Sequence, residues 1–479
     1  MLLVYDIGTT ALKGGVIDQA GALLARAQTP MEMVRGENPD FHEFDPATWL
    51  SGLRRVTAAL LRDPSLGSGL RGVVISGNGP TLVPVGSSGR PVHCAINWMD
   101  RRGVEEAELI SSITGSYVDP SFFLPKAYWI YRNKPKVYQR TRHFLSCPEY
   151  VDYVLTGEAC TILPSPQFSR YIWTQEAIGK LGMEAEKFPP FIKPGQLIGR
   201  VRPKAAETLG LPEGLPVIAG GPDFIMSILG TATVRPGRTC DRAGSSEGVN
   251  LCSASPLEDP RLLCLPHIIE GYYNVSGLVS TTGKAVEWFK NSLRGSLEYE
   301  ELFAEIARVP AGAGGLLFLP YLSGERSPLW DPRARGAFLG LSLKHGWREM
   351  GRAVVEAVGY AIRDVLEVME EDGCKVEELR VTGGQARSPL LNQIKADVSG
   401  KRILVPRLRD ADLLGDACVG LYGLGRFDSL SEAAELAVRI ERSFEPAPRL
   451  KGRYDEMFAL YREAYRGLKP VFERLGRLP

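Results

Sequence analysis

Short apolar runs separated by small polar turns organise the start of this chain. Leu2 to Tyr5 is one such run, of the length and content of a buried strand. Gly8 permits a tight turn, and "LKGGVID", Leu12 to Asp18, predicts a second strand. "DQAG", Asp18 to Gly21, is a turn signal, and "LLARAQ", Leu23 to Gln28, predicts a third strand. The expectation is a three-strand meander.

The same grammar returns in the second half. "GRTCDRAGSSEGVNLCS", Gly237 to Ser253, reads as strand, small polar turn and strand, the turn being Gly244, Ser245 and Ser246. "LLCLPHIIEGYY", Leu262 to Tyr273, reads as the third strand of a matching meander. Each half also holds a strand that ends in a glycine pair before a helix. In the first it is "PVIAGGPDFIMSIL", Pro216 to Leu229, and in the second "ELRVTGGQARSPLLNQIKADVSG", Glu378 to Gly400. In the latter, Ser388 suits a helix cap, Pro389 the first helical position and Gly400 the terminator. Met350, Val354, Val358, Ala361, Val365 and Met369 recur at helical spacing and predict a core stripe. Tyr454, Phe458, Tyr461, Tyr465 and Phe472 predict another.

Length turns this repetition into a domain count. A chain of 479 residues exceeds one ordinary core, so two domains are expected, residues 1–237 and 238–479. With 44% hydrophobic and 24% charged residues the composition is that of a soluble globular protein. A net charge of +1 gives no field favouring nucleic acid or an anionic membrane. No apolar stretch suffices to span a bilayer, and no secretory leader is visible. The eight cysteines are scattered without metal-ligand spacing, which points to buried free thiols in a reducing cytoplasm.

The turns bring in chemistry. Gly8, Thr9 and Thr10 offer backbone N–H groups and two hydroxyls, a donor-rich cup for phosphate, or simply a solvated hairpin turn. Asp6, at the strand end, could hold a metal through water. No Walker loop is present: the nearest string, "STTGKA" at Ser280 to Ala285, lacks the first glycine and the final hydroxyl. No G-x-G-x-x-G follows a strand either, so a nicotinamide fold has little support. Glycine-rich turns paired by half suggest a nucleotide between two α/β halves, which suits phosphoryl transfer.

The ordered set of motifs resembles the FGGY carbohydrate kinases. "DIGTTALKGGVID" is similar to their first phosphate motif and "AGGPDF" to the segment bearing their catalytic aspartate. "AGSSEG" is similar to their second phosphate motif, and "VTGGQARSPLLNQIKADVSGKRILVP" to their adenosine segment. "GAFLGLSLKHGWREMGRAVVE" fits their C-terminal signature, and the pentulose (xylulose) kinases are nearest in wording. The resemblance implies an α/β fold of two ribonuclease-H-like domains, of the actin, hexokinase and Hsp70 type, with an interdomain active-site cleft. It implies ATP and Mg²⁺ as cofactors, a sugar or polyol as substrate, and a possible homodimer.

It also implies roles for residues. Asp223 would be the general base and would touch both substrate and metal. Asp6 would position the metal. Gly8, Thr9, Thr10 and Lys13 would face the transferred phosphate, and Gly244, Ser245 and Ser246 would hold phosphate from the other half. Gly383, Gly384, Gln385 and Ser388 would flank adenosine. "NWMDRRG", Asn97 to Gly103, resembles the segment bordering the sugar, placing Asn78, Trp98, Asp100 and Arg102 at the substrate. Two departures stand out. "SGNGPTLV", Ser76 to Val83, lacks the polar residues that relatives carry there, and Phe224 follows the aspartate where Asn or Gln is common. They point to a polyhydroxy substrate other than glycerol. A non-catalytic ATP-binding protein of the actin/Hsp70 kind, or a degenerate kinase, remains the alternative reading.

Overall fold

The computed structural model describes residues 1–34, 38 and 41–476. They form two compact units. The first comprises Met1–Ala232, Ile268–Glu270 and Ala411–Val438; the second comprises Thr233–His267, Gly271–Asp410 and the chain from Arg439 onward.

In the first unit the apolar run at the start becomes the strand Leu2–Ile7, every residue of it buried. It pairs antiparallel with Ala11–Ile17, which pairs antiparallel with Leu23–Pro30. The expected meander is therefore present. On its other edge Leu2–Ile7 pairs in parallel with Gly72–Gly77, and that strand in turn with Pro216–Pro222. Leu197–Arg200 closes a six-stranded sheet. The helix Pro46–Leu60 buries Trp49, Leu53 and Val56 in the same core as Leu3 and Tyr5. Asp45 caps it, its carboxylate accepting from the Ala47 N–H at 2.9 Å, with Pro46 at the first helical position.

The second unit repeats the plan with one addition. Arg238–Ala243 pairs antiparallel with Glu247–Ser253, as expected. The strand beside Glu247–Ser253 is, however, Tyr273–Val279, and Leu263–Pro266 lies beyond it at the sheet edge. The run Leu262 to Tyr273 thus contributes a short edge strand and then a turn. Gly271, at φ +88°, makes the reversal that residue type permits. Glu378–Thr382 and Arg402–Pro406 add parallel strands, and Ile440–Phe444 completes a seven-stranded sheet.

The helix Trp347–Glu371 is buried on nearly every side rather than along one stripe. Its first half joins one apolar cluster, with Tyr360 beside Tyr454, Phe458 and Tyr461, while Ala361 to Met369 join another under the sheet. Of the predicted stripe, Met350 alone is only half-buried. The five C-terminal aromatics are all core residues of the helix Lys451–Leu475.

The division departs from the single cut expected after residue 237. The chain leaves the first unit at Ala232 and returns to it for Ala411–Val438. The cause is apolar matching. The helix Ala411–Gly423 buries Leu413, Leu414, Ala417, Cys418, Val419 and Leu421. It lies so close to the sheet that a Cβ on Gly420 would stand 2.7 Å from Leu2 Cδ1. It also presses on the helix Asp223–Gly230. A Cβ on Gly415 would stand 1.9 Å from the Met226 carbonyl oxygen, and one on Gly230 1.7 Å from that of Ala411.

Backbone occupies the space that any side chain at Gly415 would need. A Gly415→Ala variant is expected to lose about 3 kcal/mol of stability or more, read from urea unfolding of the full chain. A loss under about 0.5 kcal/mol would show that the two helices separate freely.

Candidate functional site

Three segments of the first unit converge at the carboxyl ends of its parallel strands. The first is the hairpin bend after Ile7. Gly8 N–H donates to the Ala11 carbonyl at 3.0 Å, and a Cβ on Gly8 would stand 2.8 Å from that oxygen, so the bend needs glycine there. Thr10 is exposed at its tip, while Gly8 and Thr9 are half-buried. The second is the end of Pro216–Pro222. Its register against Gly72–Gly77 shifts between Ala219 and Gly221, making a bulge at Gly220. A Cβ on Gly220 would stand 2.2 Å from the Ile75 carbonyl, which explains the glycine pair. Such bulges re-aim the residues beyond them. Asp223 follows at once as the first residue of a helix, half-buried, its Oδ1 accepting the Phe224 N–H at 2.6 Å. The third is the start of the helix Ala411–Gly423, which brings Asp412 and, one turn on, Asp416.

The acids share limited compensation. Lys13, opposite Asp6 across the hairpin, reaches Asp412 Oδ2 at 2.5 Å and Asp6 Oδ2 at 3.5 Å. Burial, and then the charge of Asp412, pushes the Asp6 carboxyl well above the usual carboxylate range against the pull of Lys13, and the Asp223 charge adds to the push. Asp412 is half-buried, and although desolvation pushes it up, Lys13 and a hydrogen bond from Asp6 hold it below its ordinary value. Asp416 is driven well up by burial, although Ser76 Oγ donates to it at 2.8 Å. Among the described residues Asp6 Oδ1 is buried with no hydrogen-bond partner. Among the described residues no group of three or more His, Cys, Asp or Glu is placed to hold a metal ion directly. That donor set suits a hydrated Mg²⁺, held through water and phosphate oxygens, and not a dehydrated metal cage.

The residues expected at the sugar divide. Trp98 is partly exposed, and its Nε1 donates to Thr9 Oγ1 at 3.1 Å, so this loop touches the hairpin bend. Asn78, Asp100 and Arg102 face inward. Asn78 donates to the Ile7 carbonyl at 2.8 Å and accepts from Thr81 and Asn97. Asp100 takes the Arg102 guanidinium through both oxygens, at 2.8 and 2.7 Å, and also accepts the His42 and Arg102 N–H groups. Glu43 and the rings of Phe41 and Trp129 enclose the rest of that guanidinium. These three residues shape the loop and leave the contact with solvent to Trp98.

In the second unit Gly244, Ser245 and Ser246 are exposed at the tip of the other hairpin. The Ser245 carbonyl accepts from the Thr282 and Lys284 N–H groups, at 3.3 and 3.0 Å. Gly283 and Gly383 are glycines because backbone passes there: a Cβ would stand 2.3 Å from the Gly244 carbonyl and 2.7 Å from that of Ala243, respectively. Gln385 is buried and donates to the Gly244 carbonyl at 2.7 Å and to Thr282 Oγ1 at 3.1 Å. Gly384 is exposed beside it. Ser388 accepts the Leu391 N–H at 3.3 Å as the expected cap, with Pro389 next and Gly400 ending the helix at φ +67°.

Two family models match the chain: the N-terminal domain of the FGGY family of carbohydrate kinases over residues 1–230, and its C-terminal domain over residues 242–424. The chain belongs to the FGGY family of carbohydrate kinases. It is similar to the xylulose kinase of Staphylococcus epidermidis, 28% identical over 98% of this chain and 97% of that one. The gluconokinase of Bacillus licheniformis is 25% identical, covering 99% and 95%. The crystal structure of ligand-bound xylulose kinase from Lactobacillus acidophilus superimposes with a TM-score of 0.87 at 23% identity, covering 99% of this chain and 100% of that one. This FGGY chain is thus an ATP-dependent carbohydrate kinase with the actin- and hexokinase-like architecture that its motifs implied.

Sequence reading passed over three groups. Asp412 and Asp416 carried a legible signal, two acids four apart in "DLLGD", one helical turn on one face. Lys126 carried none. It is wholly buried in the helix Phe123–Asn133 and donates to the Pro80 carbonyl at 2.7 Å, propping the loop that starts at Asn78. Burial drives its pKa down to about 7, against the raising pull of Asp100 and Asp119.

That depression has a sign. The folded chain releases the Lys126 proton at lower pH than the unfolded chain, whose lysine keeps the ordinary 10.5. The stability it contributes is complete above pH 10.5 and is lost as pH falls to about 7. The difference in unfolding free energy between the native chain and Lys126→Met should therefore grow with pH across that window, by at most about 1.4 kcal/mol per unit. Urea titrations at a series of pH values read it. A difference that stays level would mean that Lys126 remains charged.

Proposed function

We propose that this kinase phosphorylates a polyhydroxy sugar of the class taken by xylulose kinases and gluconokinases, with Asp223 as general base. The observation that supports it most is the grouping of Asp223 with Asp6, Asp412 and Lys13 around the Gly8–Thr10 bend, within one unit. Asp223 sits at a helix start, half-buried, where it can meet a sugar hydroxyl. It accepts that proton as the oxygen forms a bond to the γ-phosphorus of ATP. The bond from that phosphorus to the β–γ bridging oxygen breaks, ADP leaves, and the proton passes from Asp223 to solvent.

The remaining roles follow chemistry. Backbone N–H groups at Thr9 and Thr10, with the two threonine hydroxyls, bind phosphate oxygens at the bend that Gly8 closes, and Ser245 and Ser246, beside Gly244, offer the same chemistry within the second unit. Magnesium supplies positive charge on the phosphates, and Asp6, with its unpartnered Oδ1, and Asp223 would hold its waters. Lys13, tied to Asp412, lies beside the same phosphate. Gly383, Gly384, Gln385 and Ser388 border the adenosine. Phe224 and Pro80 present apolar surface where relatives carry polar groups, so glycerol, with few hydroxyls to recognise, is a poor acceptor.

Asp223→Ala is expected to fold and bind ADP while losing sugar-dependent ADP formation by about 10³-fold or more. A coupled assay with calorimetry reads both, and near-native turnover would remove Asp223 from the role. In an acceptor panel of ketoses, aldoses, sugar acids and polyols, a five- or six-carbon ketose or sugar acid should give the highest kcat/KM. Glycerol in first place would overturn the substrate class.

A further inference from the structure

Beneath the second hairpin bend lie three charged side chains that the mechanism does not use. Lys395, on the helix Pro389–Ser399, is 1% exposed. Its ammonium donates to Asp241 Oδ2 at 2.7 Å and to Glu247 Oε1 at 2.9 Å. Asp241 stands on the strand Arg238–Ala243 and Glu247 on the returning strand Glu247–Ser253. The lysine therefore bonds both arms of one hairpin. Glu247 is the cross-strand partner of Ala243, so the clamp sits directly behind the tip formed by Gly244, Ser245 and Ser246. Gln385, a few residues before the same helix, grips the tip from the other side through the Gly244 carbonyl.

Resting on the phosphate and adenosine roles given above, we propose that Lys395 is a positioning residue. It fixes the Gly244–Ser246 bend to the helix that carries Gln385 and Ser388 at its start, so that the phosphate and adenosine contacts of the nucleotide are set as one body.

The chemistry favours a dedicated device over incidental packing. Burying an ammonium and two carboxylates is costly, and an apolar trio of the same volume would hold strands and helix together as well or better. What ions add is a fixed direction at each oxygen. Among the described residues one oxygen of each acid, Asp241 Oδ1 and Glu247 Oε2, accepts no hydrogen bond of ordinary geometry, although Gln385 lies near Glu247. Burial, then the charge of Asp241, pushes the Glu247 carboxyl up to about 8 despite Lys395.

The test compares ADP binding by calorimetry with the KM values for ATP and for sugar, in the full chain and in Lys395→Met. The expected result is an ADP Kd and an ATP KM raised about tenfold or more, with the sugar KM within about twofold. Equal changes in both KM values, or an unchanged ADP Kd, would overturn the proposal. Should Lys395→Met not fold, with two acids left unpaired, Asp241→Asn/Glu247→Gln/Lys395→Met removes the charges together and keeps the shapes. That variant should fold and bind ADP weakly, and tight binding by it also overturns the clamp. A native chain that binds no ADP would sink the kinase roles themselves, and is seen before any variant is read.

Discussion

One lysine shared between two carboxylates withdrawn from solvent is the arrangement on which both units rest. In the first it is Lys13 between Asp6 and Asp412, and in the second Lys395 between Asp241 and Glu247. Each trio lies just behind a hairpin bend rich in small hydroxyl residues. Charges this deep are tolerable only when every partner stays, since removing one member of a buried pair costs about 3–5 kcal/mol. The two trios differ in what they leave over. Lys13 is partly open and Asp6 keeps an unpartnered oxygen, so the first can respond to an arriving cation or phosphate. The second is sealed, with the lysine and both acids buried, which suits holding a bend still.

Glycine does the complementary work. Gly8, Gly220, Gly283 and Gly383 each stand where a neighbouring carbonyl would meet a Cβ at under 3 Å. They let backbone approach backbone where a side chain would not fit. Asp223 gains its position from the same device, because the bulge at Gly220 comes just before it. The sugar side is built by a different rule. Asn78, Asp100 and Arg102 spend their polar atoms on one another and on loop backbone, and Trp98 alone turns outward to join Thr9. The Trp98 loop and the Gly8–Thr10 bend thereby share a hydrogen bond.

What the sequence made legible was local. The first meander, the Gly244–Ser246 hairpin and the Ser388–Gly400 helix follow from apolar runs and turn residues, and each stands as read. The C-terminal aromatics were also rightly assigned to packing. What was hidden depended on contacts distant in sequence. Asp412 meets Lys13 across some 400 residues, and no periodicity announces it. The run from Leu262 to Tyr273 looked like a third strand because its composition suits one, but Tyr273–Val279 competes better for the place beside Glu247–Ser253. The inward turn of Asp100 could not be told from an outward one, since an aspartate beside arginines fits either. "STTGKA" was set aside as a failed phosphate loop, yet Thr282 and Gly283 brace the neighbouring bend.

The return of Ala411–Val438 to the first unit has a consequence for how the protein is made. Until that stretch leaves the ribosome, one face of the first sheet, with Leu2 and Val74 on it, lacks the helix that covers it. The sheet that holds Leu2 is thus completed only after most of the second unit has been synthesised. Nascent chains must keep an apolar sheet from sticking to its neighbours until Ala411–Val438 has been made.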